Sequence, residues 1–222
     1  DEITMLSTGT LHVRDVASAV GTTAATDVLH LLAAGTVGVS DLETVLGSTG
    51  TDVVSLSNGG SLSTSAVESV LGSAGSTEVL TLLAAGSVSV SDVDSVIGVS
   101  GSADVVTMLA SGSLAVQHVD TAIGSTDAGD TLTLLADSTI RVNRFETVIG
   151  STGVDVVTLA AGSVEVSDVE TLIGSTATND TATLLNAGTI AVSGMASING
   201  STGTDVVRML TAGSLTTSDI ET

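Results

Sequence analysis

Eight glycines recur at nearly constant intervals: Gly21, Gly47, Gly72, Gly98, Gly124, Gly150, Gly174 and Gly200, separated by 26, 25, 26, 26, 26, 24 and 26 residues. Self-similarity at such a period marks an array in which each unit buries its apolar face only by stacking on its neighbours. With partial units at both ends, about nine repeats fill the 222 residues, and no linker interrupts them. Residues 1–222 therefore read as a single repeat array.

Each unit holds three short segments separated by turn signals. In the first, Leu132 and Leu134 alternate with Thr131 and Thr133, the period of two that marks a strand. A turn such as Ala84 to Gly86 follows. In the second segment Val88 and Val90 face one way, and the same register puts Arg141 and Glu165 on the other, solvent face. The third reads apolar, acidic, hydroxyl, apolar, apolar, as in Val169 to Ile173. Three strands and three turns use up one unit, so the expectation is an all-β, parallel β-solenoid of about nine coils with three strands per coil. Units this rich in Val, Thr, Ser and Gly lack the ten or more residues of 3.6-period pattern that a helix needs.

Composition bounds what such coils can enclose and attract. Phe145 is the only aromatic residue, and Pro, Cys, Trp and Tyr are absent, so the core must be thin and built from Val, Leu, Ile and Ala. Twenty-five acidic residues against four basic ones give a formal charge of −21, yet the mean hydropathy is positive, which argues for a folded chain. Nucleic acid and anionic membrane are poor partners, because phosphate binding relies on clustered Lys and Arg. Divalent cations are the natural counterpart. No apolar run is long enough to span a bilayer, no signal peptide opens the chain, and the lack of cysteine is compatible with export.

If equivalent residues of successive units stand above one another, three columns hold most of the acid. The turn column is Asp1, Asp27, Asp52, Glu78, Asp104, Asp130, Asp155, Asp180 and Asp205. The third-segment column is Glu43, Glu68, Asp94, Asp120, Glu146, Glu170 and Glu221, broken by Ala17 and Ala196, and reads as an exposed stripe. A looser column, Asp15, Asp41, Asp92, Asp168 and Asp219, also accepts Ala66, His118, Arg144 and Gly194, and reads as a solvated turn. Carboxylates stacked about 4.8 Å apart would repel by roughly 1 kcal/mol per pair in water and about 3–4 kcal/mol at an effective dielectric of 20. They must splay into water, accept turn amides or share a cation. Two readings of the turn column stay open: Asx-type capping, in which each Asp accepts N–H groups of its own turn, and calcium held by carboxylate and backbone oxygens.

The stretch Gly47-Ser48-Thr49-Gly50-Thr51-Asp52-Val53-Val54-Ser55 resembles the glycine- and aspartate-rich nonapeptide of RTX proteins, with Ser48 in place of the second glycine. The units from Gly150 and Gly200 match equally well, through Gly153 with Asp155 and Gly203 with Asp205. The resemblance implies a secreted or surface-displayed bacterial protein whose repeats form a calcium-bound parallel β-roll. It implies carboxylate ligands at Asp52, Asp155 and Asp205 and, through the same column, at Asp27, Glu78, Asp104, Asp130 and Asp180. The units from Gly21, Gly72, Gly98, Gly124 and Gly174 insert one residue before the acid, with Ala24, Asp127 and Ala177 at the inner glycine position where the matching units keep Gly.

Nothing resembles an active site. His12, His30 and His118 are scattered along the sequence and read as solvated side chains, and no P-loop or nucleophile elbow occurs. The hydroxyl column running from Thr10, Thr36, Ser61 and Ser87 to Ser214 reads as a ladder along a stacked turn in preference to an ice-binding array. Asp1 falls in the turn column and Thr222 closes a third segment, which leads us to expect either a window on a longer array or coils continuing end to end across subunits. The expected role is a stiff acidic structural element of an adhesin, surface layer or extracellular fibre, stabilised by calcium. The alternatives are a metal-free self-assembling filament subunit and a carbohydrate-active solenoid enzyme.

Overall fold

A computed structural model describes residues 1–23, 26–177 and 179–221; Ala24 and Thr222, on which two of the sequence readings fall, lie outside the described residues. The chain divides into two compact units, Asp1–Ala110 and Ser111–Thr222. The first contains β1 (Glu2–Thr4), β2 (Thr10–Val13), β3 (Ser18–Val20), β4 (Val28–Leu31), β5 (Gly35–Ser40), β6 (Thr44–Leu46), β7 (Asp52–Leu56), β8 (Gly60–Ser65), β9 (Ser69–Leu71), β10 (Glu78–Leu82), β11 (Ser87–Ser91), β12 (Ser95–Ile97) and β13 (Val105–Met108). The second contains β14 (Ser113–Gln117), β15 (Thr121–Ile123), β16 (Thr131–Leu134), β17 (Thr139–Asn143), β18 (Thr147–Ile149), β19 (Val156–Leu159), β20 (Ser163–Ser167), β21 (Thr171–Ile173), β22 (Thr181–Leu184), β23 (Gly188–Ser193), β24 (Ser197–Asn199), β25 (Asp205–Met209) and β26 (Thr216–Ser218).

Within each unit consecutive strands go to opposite sheets. In the first unit the orders are β1-β3-β5-β7-β9-β11-β13 and β2-β4-β6-β8-β10-β12, and in the second β14-β16-β18-β20-β22-β24-β26 and β15-β17-β19-β21-β23-β25. The pairings are parallel, with partners 15 to 20 residues apart, as in Val156↔Thr171 and Ser18↔Gly38. Each unit is thus a parallel β-solenoid, as the sequence predicts, but a coil contains two strands instead of three. The 26-residue repeat is one and a half coils, and nine three-stranded coils are not what forms. A core without Trp or Tyr and with a single Phe has little volume to fill a three-sided interior. Two facing sheets need only one layer of aliphatic side chains from each.

The alternation read from the sequence sets that layer. Leu132 and Leu134 are buried, as are Val88 and Val90, while Arg141 and Glu165 face solvent. Phe145 joins the core.

The half-coil mismatch decides which residues meet. A first-segment strand pairs with a second-segment strand on one side and a third-segment strand on the other, as β7 does with β5 and β9. Two strands of the same kind in one sheet, such as β4 and β10, are three spacings apart, about 14 Å. Equivalent residues therefore do not stack on one another. Asp27 and Glu78 belong to one sheet of the first unit and Asp52 and Asp104 to the other, so the expected 4.8 Å carboxylate column, with its repulsion, does not exist. The hydroxyl columns divide likewise: Ser163 accepts a hydrogen bond from Thr181, a residue of a different segment, at 2.8 Å.

The looser column is an exposed turn, with a backbone reason for its composition. Asp15, Asp41, Ala66, Asp92, His118, Arg144, Asp168 and Asp219 all have φ between 52° and 60°, and Gly194 has φ 67°. Asp and Gly tolerate this left-handed region best. The carbonyl of that residue lies over the anchor glycine of the preceding coil: a Cβ on Gly47 would come 1.7 Å from the Ala66 oxygen. The 26-residue glycine signal is thus a close approach of two backbones.

Candidate functional site: a carboxylate buried among amides

The acid of the turn column opens, or immediately precedes, each first-segment strand, and the chain around it is drawn inward. Asp52 has no exposed surface. Its Oδ1 accepts the Gly35 N–H at 3.2 Å, and its Oδ2 accepts the Ser48 N–H at 2.5 Å and the Ser48 hydroxyl at 2.8 Å. Its own N–H donates to Glu68 Oε2 at 2.7 Å, and its carbonyl accepts the Glu68 N–H at 3.1 Å. Gly35 opens β5 and Glu68 immediately precedes β9, so one residue ties three adjacent strands of one sheet together.

The arrangement repeats. Asp130 accepts the Gly112 and Ser125 amides at 3.0 and 2.6 Å and the Ser125 hydroxyl at 2.8 Å, and donates its N–H to Glu146 at 2.8 Å. Asp27, Asp155 and Asp205 make the same set of amide bonds, capped by Glu43, Glu170 and Glu221. Asp104 accepts the Gly86 and Val99 amides, and Asp180 those of Gly162 and Ser175. Asp130 sits six residues after its glycine and Asp52 five, yet both receive the amide that follows the glycine. The inserted residue is absorbed in the loop.

The third-segment acids are more than an exposed stripe. Most are solvent-accessible, but Glu43, Glu68, Asp94, Glu146, Glu170 and Glu221 each accept a turn acid's N–H from the preceding coil. At Ala196 no carboxylate is available, and the backbone bonds from the Ala196 and Ser197 amides to the Asp180 carbonyl, at 2.8 and 3.4 Å, persist.

These surroundings set the protonation preferences. The Thr22 hydroxyl, then the Thr22 and Gly9 amides, hold the Asp27 carboxyl below its ordinary value against the opposing effect of burial. At Asp180 burial pushes upward, but the Ser175 hydroxyl and the Gly162 and Ser175 amides outweigh it and the net shift is downward. Glu78 departs from the pattern. It keeps the Ser73 amide at 3.2 Å, while its Oε2 is buried without a hydrogen-bond partner. Burial raises its pKa, the Ser73 amide opposes this, and the Asp94 carboxyl beside it adds to the rise.

Calcium takes six to eight oxygen ligands. Here the carboxylate oxygens at Asp27, Asp52, Asp104, Asp130, Asp155, Asp180 and Asp205, and Oε1 of Glu78, are buried and face N–H and O–H donors, whose positive ends occupy the directions a cation needs; Oε2 of Glu78 faces none. Among the described residues no three His, Cys, Asp or Glu side chains converge. The turn as built does not fit a calcium shell, and its geometry is that of the capping arrangement, extended across coils.

Two residues that the sequence sets apart are brought together. His12 on β2 and His30 on β4 are register partners, with their Nδ1 atoms 3.0 Å apart. Their 18-residue separation equals a coil step, a signal that the 26-residue period conceals. His118 is elsewhere, on a left-handed turn.

No family model matches the chain, and no curated protein or solved structure matches it either. Among the described residues no helix is long and apolar enough to cross a membrane.

Proposed function

We propose that this chain is a structural β-solenoid segment of a secreted or surface-attached bacterial protein, such as an adhesin, surface layer or extracellular fibre, whose turns are held by carboxylate–amide bonds. The observation that carries this reading is the repeated buried aspartate, accepting amides from its own turn and from the preceding coil at Asp27, Asp52, Asp104, Asp130, Asp155, Asp180 and Asp205. Such a turn is complete without an ion. The outward faces, rich in Ser, Thr and acid, keep the segment hydrated, and neighbouring repeats of the same protein are its implied partners.

The deciding experiment is circular dichroism and thermal melting of the chain in a chelator and then in millimolar calcium. Under this reading the β-spectrum and melting temperature stay the same. Folding that appears only with calcium, or a melting temperature that climbs with its concentration as linkage requires, would replace it with a calcium-stabilised RTX-like roll.

A further inference from the structure

The His12 and His30 rings are the one pair of nitrogen ligands among the described residues that the fold places side by side, and the geometry points to a surface site for a late first-row divalent cation. Parallel pairing of β2 with β4 puts the two residues in register. Their side chains lie on the outer face, where His12 is exposed and His30 half-buried. The ring centroids are 4.9 Å apart with planes tilted by 57°, and the Nδ1 atoms approach to 3.0 Å, one N–H donating to the other ring's lone pair.

A metal ion takes the place of that shared proton when both rings turn their Nδ1 lone pairs toward it. At metal–nitrogen distances of about 2.05 Å, nitrogens 3.0 Å apart subtend about 94° at the ion. A tetrahedral angle would need them about 3.3 Å apart. The bite is that of adjacent positions in a tetragonal or octahedral shell, the geometry of Cu²⁺ and Ni²⁺, and Cu²⁺ leads the affinity order for imidazole. Rotation of both accessible rings about χ2 turns the lone pairs from each other toward a common apex. No third His, Cys, Asp or Glu converges there among the described residues, so water completes the shell and the ion stays open to exchange. The formal charge of −21 raises the local cation concentration.

The test titrates Cu²⁺, then Ni²⁺ and Zn²⁺, into the whole chain by calorimetry, with electron paramagnetic resonance of the copper form. His12→Gln, His30→Gln and His118→Gln are compared, each checked for an unchanged metal-free β-spectrum. We expect one tight equivalent of copper with a tetragonal spectrum showing nitrogen couplings. It should weaken at least tenfold in His12→Gln and in His30→Gln and be unaltered in His118→Gln, and copper should bind more tightly than nickel or zinc. Wild-type affinity in either paired variant, loss in His118→Gln, or no tight equivalent at all would overturn the site.

Discussion

The backbone N–H of Asp52 donates to the carboxylate of Glu68, sixteen residues later and one coil further on, at 2.7 Å. The two acids are not competing charges in one column. One caps the other's backbone, while the buried side chain of the first is neutralised by amide dipoles of the coil before. The two acidic motifs of the repeat are halves of one device.

Their costs of removal differ because their exposure does. Asp52→Ala leaves the Gly35 and Ser48 amides without their acceptor in a site with no exposed surface, and should cost about 2–4 kcal/mol. Glu68→Ala frees an N–H beside solvent-accessible surface and should cost about 1 kcal/mol. Urea unfolding of the two variants measures both, and equal losses would count against the capping account.

The anchor glycine and the left-handed turn form a second coupled pair. Gly47→Ala places a methyl 1.7 Å from the Ala66 carbonyl oxygen, a clash that only backbone movement relieves, so a loss of at least about 2 kcal/mol is expected. Ala66→Gly relieves a φ of 54° and should leave stability unchanged or raise it by up to about 1 kcal/mol, the left-handed strain exceeding the added entropy of the unfolded chain. Thermal melts of the two variants should move in opposite directions or, at the least, only the first should fall.

The turn acids divide in their pH response. Asp27 and Asp180 have folded pKa values below the ordinary 3.8, so their contribution is present above that value and is lost as pH falls through the depressed one. Glu78 has a folded pKa above 4.5; its contribution is full below 4.5 and is lost as pH rises through the raised value. Glu78→Gln should therefore be more stable relative to the parent at pH 7 than at pH 4, whereas Asp180→Asn should be relatively most destabilised near neutrality. Denaturant midpoints across pH 3–7 test both signs.

Adjacent leucines at the end of β10 offer a control on the winding. Leu82 is 8 % exposed and Leu83 is 51 % exposed. Leu82→Ala should cost about 2–4 kcal/mol and Leu83→Ser less than about 0.5 kcal/mol. Comparable losses in urea unfolding would show that the strand ends in a different register.

Much was legible in the linear chain. The period-two alternation of Leu132 and Leu134, the glycine interval and the unbroken acid gave the strands, their inward faces and the turns. The role of Glu68 was not legible, because a residue sixteen positions away is placed over Asp52 only after the number of strands per coil is known. The His12–His30 pair was hidden for the same reason. A turn acid flanked by glycines also looks alike in sequence whether it caps amides or holds a cation, and only burial and donor directions separate the two.

By itself the sequence determined that a repeated, aliphatic, parallel β-solenoid forms, because local alternation and turn residues act within a few positions of one another. The tertiary structure decided how many segments close a coil. That number follows from how much side-chain volume the facing sheets must enclose, and it places a first segment beside second and third segments instead of beside its own copies. The period along the chain counts segments of a kind, whereas the stacking of residues depends on how many segments return the chain to the same face.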